Sequence, residues 1–361
     1  MTPTYVYPAS FCPPTFGHLH TVEKAAALFP ELILVCSVNP EKDSPWFSPE
    51  ECRDLWSSYH LSANVRVITL DELQARNKSM SDLVMVRGIR DANDAEYEKR
   101  VMLFNKECFG IDKYFYLFAC DAVKDISSSL ARRLAGELKL EDLSACVSPL
   151  VISKVLEKAL GIKNLFMVVG RPGSGKSTFF RKLAEIDPSN VHINTDDFNH
   201  ELRPLLAKIF GDEDLIKLAL EDEEKLKRAI AGPWMDLLRD ALRKLPRDAN
   251  AFVEIPYGMQ ADKRMYRFVG GKVICVDCRD LEVLKSRVHN RNTPRLASFI
   301  DKIPGVEETK KIVEENRLNL VTIDTSCTLD ELHKKTEKFN TWLKEEETKW
   351  KTCLPGYCLD I

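Results

Sequence analysis

The 361-residue chain has no apolar run approaching the roughly twenty residues that span a bilayer. Its start, MTPTYVYPASF, lacks the charged segment and following apolar stretch of a secretory leader. Both absences predict a cytoplasmic protein without a membrane partner. Positive charge is not in excess, since 52 Lys and Arg stand against 55 Asp and Glu for a net charge of −3. A large basic surface for nucleic acid is therefore not expected, whereas local pockets for phosphate are compatible with that balance. Low-complexity segments are missing too, and 44% hydrophobic residues suffice for ordinary cores. The 11 cysteines have no regular spacing and lie mostly in apolar runs such as LILVC and VICVDC. That suits reduced thiols packed as small hydrophobes, not a disulfide framework. Cys275 and Cys278 form C-x-x-C, but in a strand pattern positions i and i+3 face opposite sides, which argues against a metal or redox pair.

What the chain does have is GRPGSGKST at Gly170–Thr178, preceded by the apolar run Leu165–Val169 and followed by the helix-like FFRKLAEI. This fits G-x-x-x-x-G-K-S/T between a strand and a helix. Gly170, Gly173 and Gly175, with Ser174 and Thr178, let backbone N–H groups turn towards phosphate oxygens. Lys176 brings charge to the β- and γ-phosphates, and the Ser177 hydroxyl can hold Mg²⁺. A phosphate loop sits on the first strand of its domain, yet 169 residues precede this one, so a separate domain is predicted before it. Ser148–Ala159 reads as the closing helix of that domain and Gly161 as its stop. The expected division is therefore 1–162 and 163–361.

The chain opens with a short strand at Thr4–Tyr7, then PASFCPPTFGHLH, then a helical pattern over Thr21–Leu28. A tight loop ending in Gly-His at a helix start gathers N–H donors, a hydroxyl and an imidazole, which suits an anionic phosphate. SFCPPTFGH is similar to the T/S-F-D-P-x-T-x-G-H signature of the nucleotidyltransferase superfamily, whose members use a Rossmann-like parallel sheet. Three further stretches follow in order: NPEKDSPWFSPEE (Asn39–Glu51), VRGIRDANDAEYE (Val86–Glu98) and ISSSLAR (Ile126–Arg132). Together they resemble the corresponding blocks of bacterial-type phosphopantetheine adenylyltransferases over most of residues 4–160.

The resemblance implies adenylyl transfer from ATP to 4′-phosphopantetheine, giving dephospho-coenzyme A and pyrophosphate. It implies that Ser10 and His18 meet the ATP phosphates, with His18 stabilising the α-phosphate, and that Phe11 is among the substrate- and ATP-binding residues. Lys42 and Arg87 would hold the incoming phosphate, and Arg90, Glu98, Ser127, Ser128 and Ser129 would grip ATP. Two departures stand out. The aspartate of S-F-D-P is Cys12, a loss of charge, and the segment that lines the pantetheine arm in that family reads DELQARNKSMS at Asp71–Ser81. Nicotinamide-mononucleotide adenylyltransferases share the P-P-T-x-G-H-L reading but are not expected to carry the R-G-x-R-x-x-x-D-x-E-Y-E block.

In the second half, VHINTDDF (Val191–Phe198) reads as a strand ending in Asp196 and Asp197, candidates to accept a hydroxyl proton or order Mg²⁺, or else to cap the next helix. AFVEIP (Ala251–Pro256) is a buried-strand pattern with one acid, Glu254, at its exit, and KVICVD (Lys272–Asp277) is another strand. LEVLKSRVHNRNTPR places Arg287, Arg291 and Arg295 at four-residue spacing, as in a basic lid over phosphates. Over roughly 164–340 this half resembles dephospho-coenzyme A kinases, with Asp196 inheriting the catalytic position and Arg287 and Arg291 the lid. NTDDF is also similar to the zeta-toxin-like and other small P-loop kinases.

Because the product of the first activity is the substrate of the second, the chain as a whole resembles a bifunctional coenzyme A synthase. Such an enzyme is α/β throughout, with a Rossmann-like nucleotidyltransferase sheet followed by a P-loop kinase. ATP serves as co-substrate and Mg²⁺ as cofactor at both sites, and a homo-oligomer is compatible with the sequence. Two other assignments fit the same residues: a kinase half acting on another small molecule such as a nucleoside, or one half kept as a non-catalytic nucleotide sensor.

Overall fold

The computed structural model describes residues 3–38, 45–76, 80–256, 260, 265–290, 300, 303–349 and 358–361. The chain divides into two compact units, the first ending at Val151 and the second beginning at Ile152. Each is an α/β unit built on its own parallel sheet. The division falls about ten residues before the boundary expected from sequence, inside helix α7 (Pro149–Leu160). The reason is what α7 carries. The buried Glu157 carboxylate pairs with Lys272 at 2.8 Å and accepts the Leu165 N–H at 2.9 Å, and the Ser153 hydroxyl accepts the Gly271 N–H at 2.8 Å. The helix read as closing the first domain is fastened mostly to strands of the second.

The first unit contains β1 (Thr4–Ala9), α1 (Phe16–Ala26), β2 (Leu32–Cys36), α2 (Pro49–Trp56), β3 (Val65–Thr69) and α3 (Leu70–Arg76). It continues with β4 (Leu83–Ile89), α4 (Ala92–Phe109), β5 (Lys113–Phe118), α5 (Ser128–Gly136) and α6 (Leu140–Ser144). The strand order is β3-β2-β1-β4-β5, and every described pairing is parallel. The order reverses between β1 and β4, so the crevice at their carboxyl ends is where such a sheet takes ligands. Val6, Val35, Ile68, Leu83 and Met85 form the core beneath it. By contrast α4 and the edge strand β5 leave Leu103, Phe104, Phe109, Phe115 and Phe118 exposed.

The second unit contains β6 (Asn164–Val169), α8 (Lys176–Ile186), β7 (Asn190–Ile193), a 3₁₀ turn (Thr195–Phe198), α9 (Asn199–Phe210), α10 (Leu215–Arg243) and β8 (Asn250–Glu254). After these come α11 (Met265–Phe268), β9 (Lys272–Asp277), α12 (Leu281–His289), α13 (Val306–Glu315), β10 (Asn319–Asp324), α14 (Leu329–Lys349) and β11 (Cys358–Asp360). Its order is β11-β10-β9-β6-β8-β7, again parallel. Every residue of β6, β8 and β9 is buried, as expected of strands covered by helices on both faces. Phe166, Phe179, Phe180, Phe252 and Phe339 fill the core.

Register in this sheet is set by a polar ladder at the amino ends of the strands, far from the Gly170–Thr178 loop. The first residues of β6, β7 and β8 are all asparagine, and Asn164 donates to Asn250 at 2.9 Å, Asn250 to Asn190 at 3.0 Å and Asn190 to Asn340 at 3.1 Å. Lys272 at the start of β9 donates to Asn164 at 2.7 Å. A slip of one residue would leave these buried amides unpaired, which makes the ladder a device for a single alignment. Among the described residues no helix is long and apolar enough to cross a membrane.

Candidate active sites

In the first unit the loop after β1 runs into α1, which begins earlier than its apolar pattern suggests. Thr15 is the cap, so His18 lies in the first turn. The capping box is unusual in using histidine where glutamate or glutamine is common. The Thr15 hydroxyl accepts the His18 N–H at 3.3 Å, and His18 Nδ1 accepts the Thr15 N–H at 3.1 Å and lies 2.9 Å from Thr15 Oγ1. A ring nitrogen that accepts carries no proton, so the neutral imidazole is the Nε2–H tautomer, and Nε2 is its donor. Phe11 stacks edge-on against the His18 ring with centroids 5.2 Å apart. It is fully buried and held at φ 45, in the left-handed region that costs a non-glycine residue about 1 kcal/mol or more.

The loop is tied from behind by the segment that supplies the three serines. Ser128 Oγ donates to the Pro13 carbonyl at 2.8 Å, Arg132 donates to the Cys12 carbonyl at 2.5 Å, and Tyr59 donates to the Pro14 carbonyl at 2.8 Å. Ser127 caps α5 by accepting the Leu130 N–H at 3.2 Å, and Ser129 accepts from Arg132 at 3.3 Å. Gly17 is required where α1 passes the Val123–Ile126 turn, since a Cβ there would collide with the Ile126 carbonyl oxygen and lie 3.2 Å from that of Val123. Two helix amino termini, of α1 and α5, are thus locked together around one loop.

Several expected roles look different in place. Arg87 and Glu98, assigned separately to the acceptor phosphate and to ATP, form a buried bidentate pair at 2.7 and 2.6 Å, and Arg87 also donates to the Pro8 carbonyl. Arg90 pairs with Asp94 at 2.7 and 2.9 Å on the surface. Ser10 follows β1 directly and is half-buried, beside Phe11. Lys42 lies outside the described residues. Position 12 carries a buried sulfur in contact with a second one, Cys52, where the family has a carboxylate. The Cys52 thiol, hydrogen-bonded to the Cys12 sulfur, holds the Cys12 thiol down to about 6 against the opposing effect of burial, while Cys52 itself is pushed up. Both sulfurs lie against the Phe47 carbonyl, at 3.8 and 4.0 Å.

In the second unit the Gly170–Thr178 loop joins β6 to α8, with Gly170, Gly173 and Gly175 all at positive φ. Gly170 admits no side chain, because a Cβ would overlap the Val276 carbonyl oxygen. Lys176 is buried, donates to the Gly170 carbonyl at 2.9 Å and to that of Arg171 at 3.1 Å, and lies 3.3 Å from Glu254. Ser177 is exposed at the start of α8, with Thr178 half-buried after it, while Ser174 is fully buried and its carbonyl accepts from Thr325 at 2.6 Å. Arg287 reaches back to Thr325, donating to its carbonyl at 2.9 Å. Arg291 and Arg295 lie outside the described residues. Asp196 stands exposed in the 3₁₀ turn, where its N–H is taken by the Asn194 side chain at 3.1 Å. The acids do not cap α9, whose cap is Phe198.

Two functional features escaped the sequence. Glu254 is the only acid in an otherwise apolar strand, a visible signal, but its contact with Lys176 needs the β6–β8 pairing. Burial pushes the Glu254 carboxyl up, yet the Lys176 charge and the neighbouring His192 outweigh it and hold it below the usual range. The bidentate bond of Arg171 to Asp277, at 2.9 and 2.7 Å, braces the loop across 106 positions of sequence and leaves no local trace.

Residues 6–134 match the cytidylyltransferase-like family. The phosphopantetheine adenylyltransferase of Rhodopirellula baltica is 38% identical over 140 residues, which is 38% of this chain and 77% of that protein. That of Mannheimia succiniciproducens is 31% identical over 159 residues, 44% of this chain and 99% of its own length. The chain belongs to the phosphopantetheine adenylyltransferase family. This membership covers the first unit, which is a nucleotidyltransferase that uses a nucleotide substrate. A solved structure, NadR protein in complex with NR, aligns over 99% of this chain and 89% of its own at 16% identity and a TM-score of 0.31.

Proposed function

We propose that the chain makes coenzyme A from 4′-phosphopantetheine in two ATP-dependent steps, one in each unit. For the first, the supporting observation is the cap that fixes His18 as an Nε2–H donor at the amino terminus of α1. An oxygen of the pantetheine phosphate attacks the α-phosphorus of ATP, the bond from that phosphorus to the α,β-bridging oxygen breaks, and pyrophosphate leaves. His18 Nε2–H and the N–H groups opening α1 meet the charge that builds on the transferred phosphoryl oxygens, and the N-terminus of α5 with Ser127–Ser129 faces the same anion. Ser10 and Phe11 shape the loop, Arg90 is available at the rim, and Lys42 is the acceptor-phosphate cation on the resemblance. Arg87 and Glu98 hold each other and fix the end of β4.

For the second step, the support is the juxtaposition of Lys176 on the loop with Glu254 at the adjoining strand end. The 3′-hydroxyl of dephospho-coenzyme A attacks the γ-phosphorus of a second ATP and ADP leaves, with Asp196 taking the hydroxyl proton and Lys176, Arg287 and Arg291 compensating phosphate charge. The exposed Ser177 hydroxyl, a hard oxygen donor, would hold Mg²⁺, which would supply positive charge against the phosphates there. In the first unit Cys12, a soft donor, replaces a carboxylate, and no metal role is derived at that position. Exposed apolar residues on α4 and β5 favour self-association of the first unit, and we place the enzyme in the cytoplasm. Supplying dephospho-coenzyme A and ATP to the Lys176→Ala protein and the parent tests the second assignment: ADP and coenzyme A should form only with the parent.

A further inference from the structure

We propose that His192 is a positioning residue for phosphate transfer in the second unit, acting through Glu254. The inference rests on the kinase reading above and adds to it a residue outside the phosphate loop. Strands β7 and β8 run parallel with His192 opposite Phe252, which sets His192 near Glu254 at the end of β8. The imidazole stacks on Phe180 of α8, with ring centroids 4.5 Å apart and planes 19° apart, so its orientation is fixed. His192 Nε2 lies 3.2 Å from Glu254 Oε2, off the straight line of an ideal hydrogen bond, while Glu254 Oε1 lies 3.3 Å from Lys176 Nζ. Both Nε2 and Oε2 are shielded from solvent and have no other partner among the described residues.

A buried carboxylate oxygen left unpaired is costly, and among the described residues the donor facing it is Nε2. The ring must therefore present Nε2–H to Oε2. That contact divides the carboxylate: Oε2 is retained by the histidine, and Oε1 is turned to the loop lysine and the phosphate beside it. Without the histidine donor the carboxylate can swing and take Lys176 with both oxygens, drawing the ammonium away from the transferred phosphate. The expected loss is in turnover and not in ATP capture, because the loop N–H groups that bind the nucleotide are untouched.

The test compares His192→Phe, which keeps the stack on Phe180 and removes the donor, with His192→Gln, which restores an N–H. With ATP and dephospho-coenzyme A, His192→Phe should lower kcat about tenfold with the ATP KM changed less than about twofold, and His192→Gln should recover most of the loss. Nitrogen NMR of histidine-labelled wild type should show the Nε2–H tautomer at His192, displaced by Glu254→Gln. An unchanged kcat in His192→Phe, or a Nδ1–H tautomer, overturns the proposal. If the wild type forms no ADP from dephospho-coenzyme A, the kinase reading fails. The tautomer and its response to Glu254→Gln then decide the contact alone.

Discussion

Replacing Gly17 by alanine adds one methyl group at the place where α1 meets the turn before α5. The new Cβ would sit closer to the Ile126 carbonyl oxygen than real Cβ atoms come, with the Val123 oxygen at 3.2 Å and the Ile126 carbonyl carbon at 3.3 Å. All three neighbours are backbone, so no side chain can step aside. Relief requires α1 or the turn to move by about 1 Å. One carries His18 and the other leads into Ser127–Ser129. A displacement of that size at a reacting centre costs on the order of 100-fold in rate, while overpacking of this kind costs about 1–3 kcal/mol of stability. The assay is pyrophosphate release from ATP and 4′-phosphopantetheine, with thermal unfolding in parallel. Gly136 supplies the control, since a Cβ there meets nothing within 4 Å, and Gly136→Ala should keep full activity and the parent's melting temperature or better. Gly17→Ala within about threefold of wild-type activity would refute the reasoning.

His18→Ala should reduce pyrophosphate release on the order of 100-fold and leave ADP formation from supplied dephospho-coenzyme A unchanged; loss of both activities would contradict separate sites. Glu98→Ala should unfold the first unit at lower denaturant by about 3–5 kcal/mol, because it strands the buried Arg87 charge; an effect confined to ATP affinity would make Glu98 an ATP contact instead. Glu157, held low by Lys154 and Lys272 despite burial, contributes stability that is complete above the unfolded carboxyl value of about 4.3 and fades as pH falls through its lower folded value. Glu157→Gln should accordingly flatten the acid limb of the stability profile. Cys12, with its thiol at about 6, should show thiolate absorbance titrating near that pH, and its stabilising effect should fade as pH falls through the same value. Cys12→Ser should remove both.

The central strands of the second unit were legible because buried parallel strands are continuous apolar runs, and LFMVV, AFVEI and KVICVD left little choice; in the first unit only β1 was read as a strand. The strand–loop–helix at Gly170–Thr178 was legible because glycine is compulsory at Gly170, where the Val276 carbonyl leaves no room for a Cβ. The start of α1 was less so: its capping box uses His18 in place of an acid, and the apolar pattern appears only from Thr21. Pairings across long separations were invisible. Arg87 and Glu98 looked like two ligands and are one ion pair, and the contact of Cys12 with Cys52 spans 40 positions. The boundary was misplaced because α7 follows the first unit in sequence but is bonded through Ser153 and Glu157 to the second. The strand β11 had no pattern beyond LD within CLDI, and it forms because the β10 edge accepts it: the Ile361 N–H donates to Thr322 at 2.9 Å.

The most direct test is to incubate the purified chain with ATP, Mg²⁺ and 4′-phosphopantetheine and to resolve the products by mass over time. The account predicts pyrophosphate and dephospho-coenzyme A first, then ADP and coenzyme A, with Lys176→Ala stopping the series at dephospho-coenzyme A. Absence of dephospho-coenzyme A, or coenzyme A formed as readily by the Lys176→Ala protein, would contradict it.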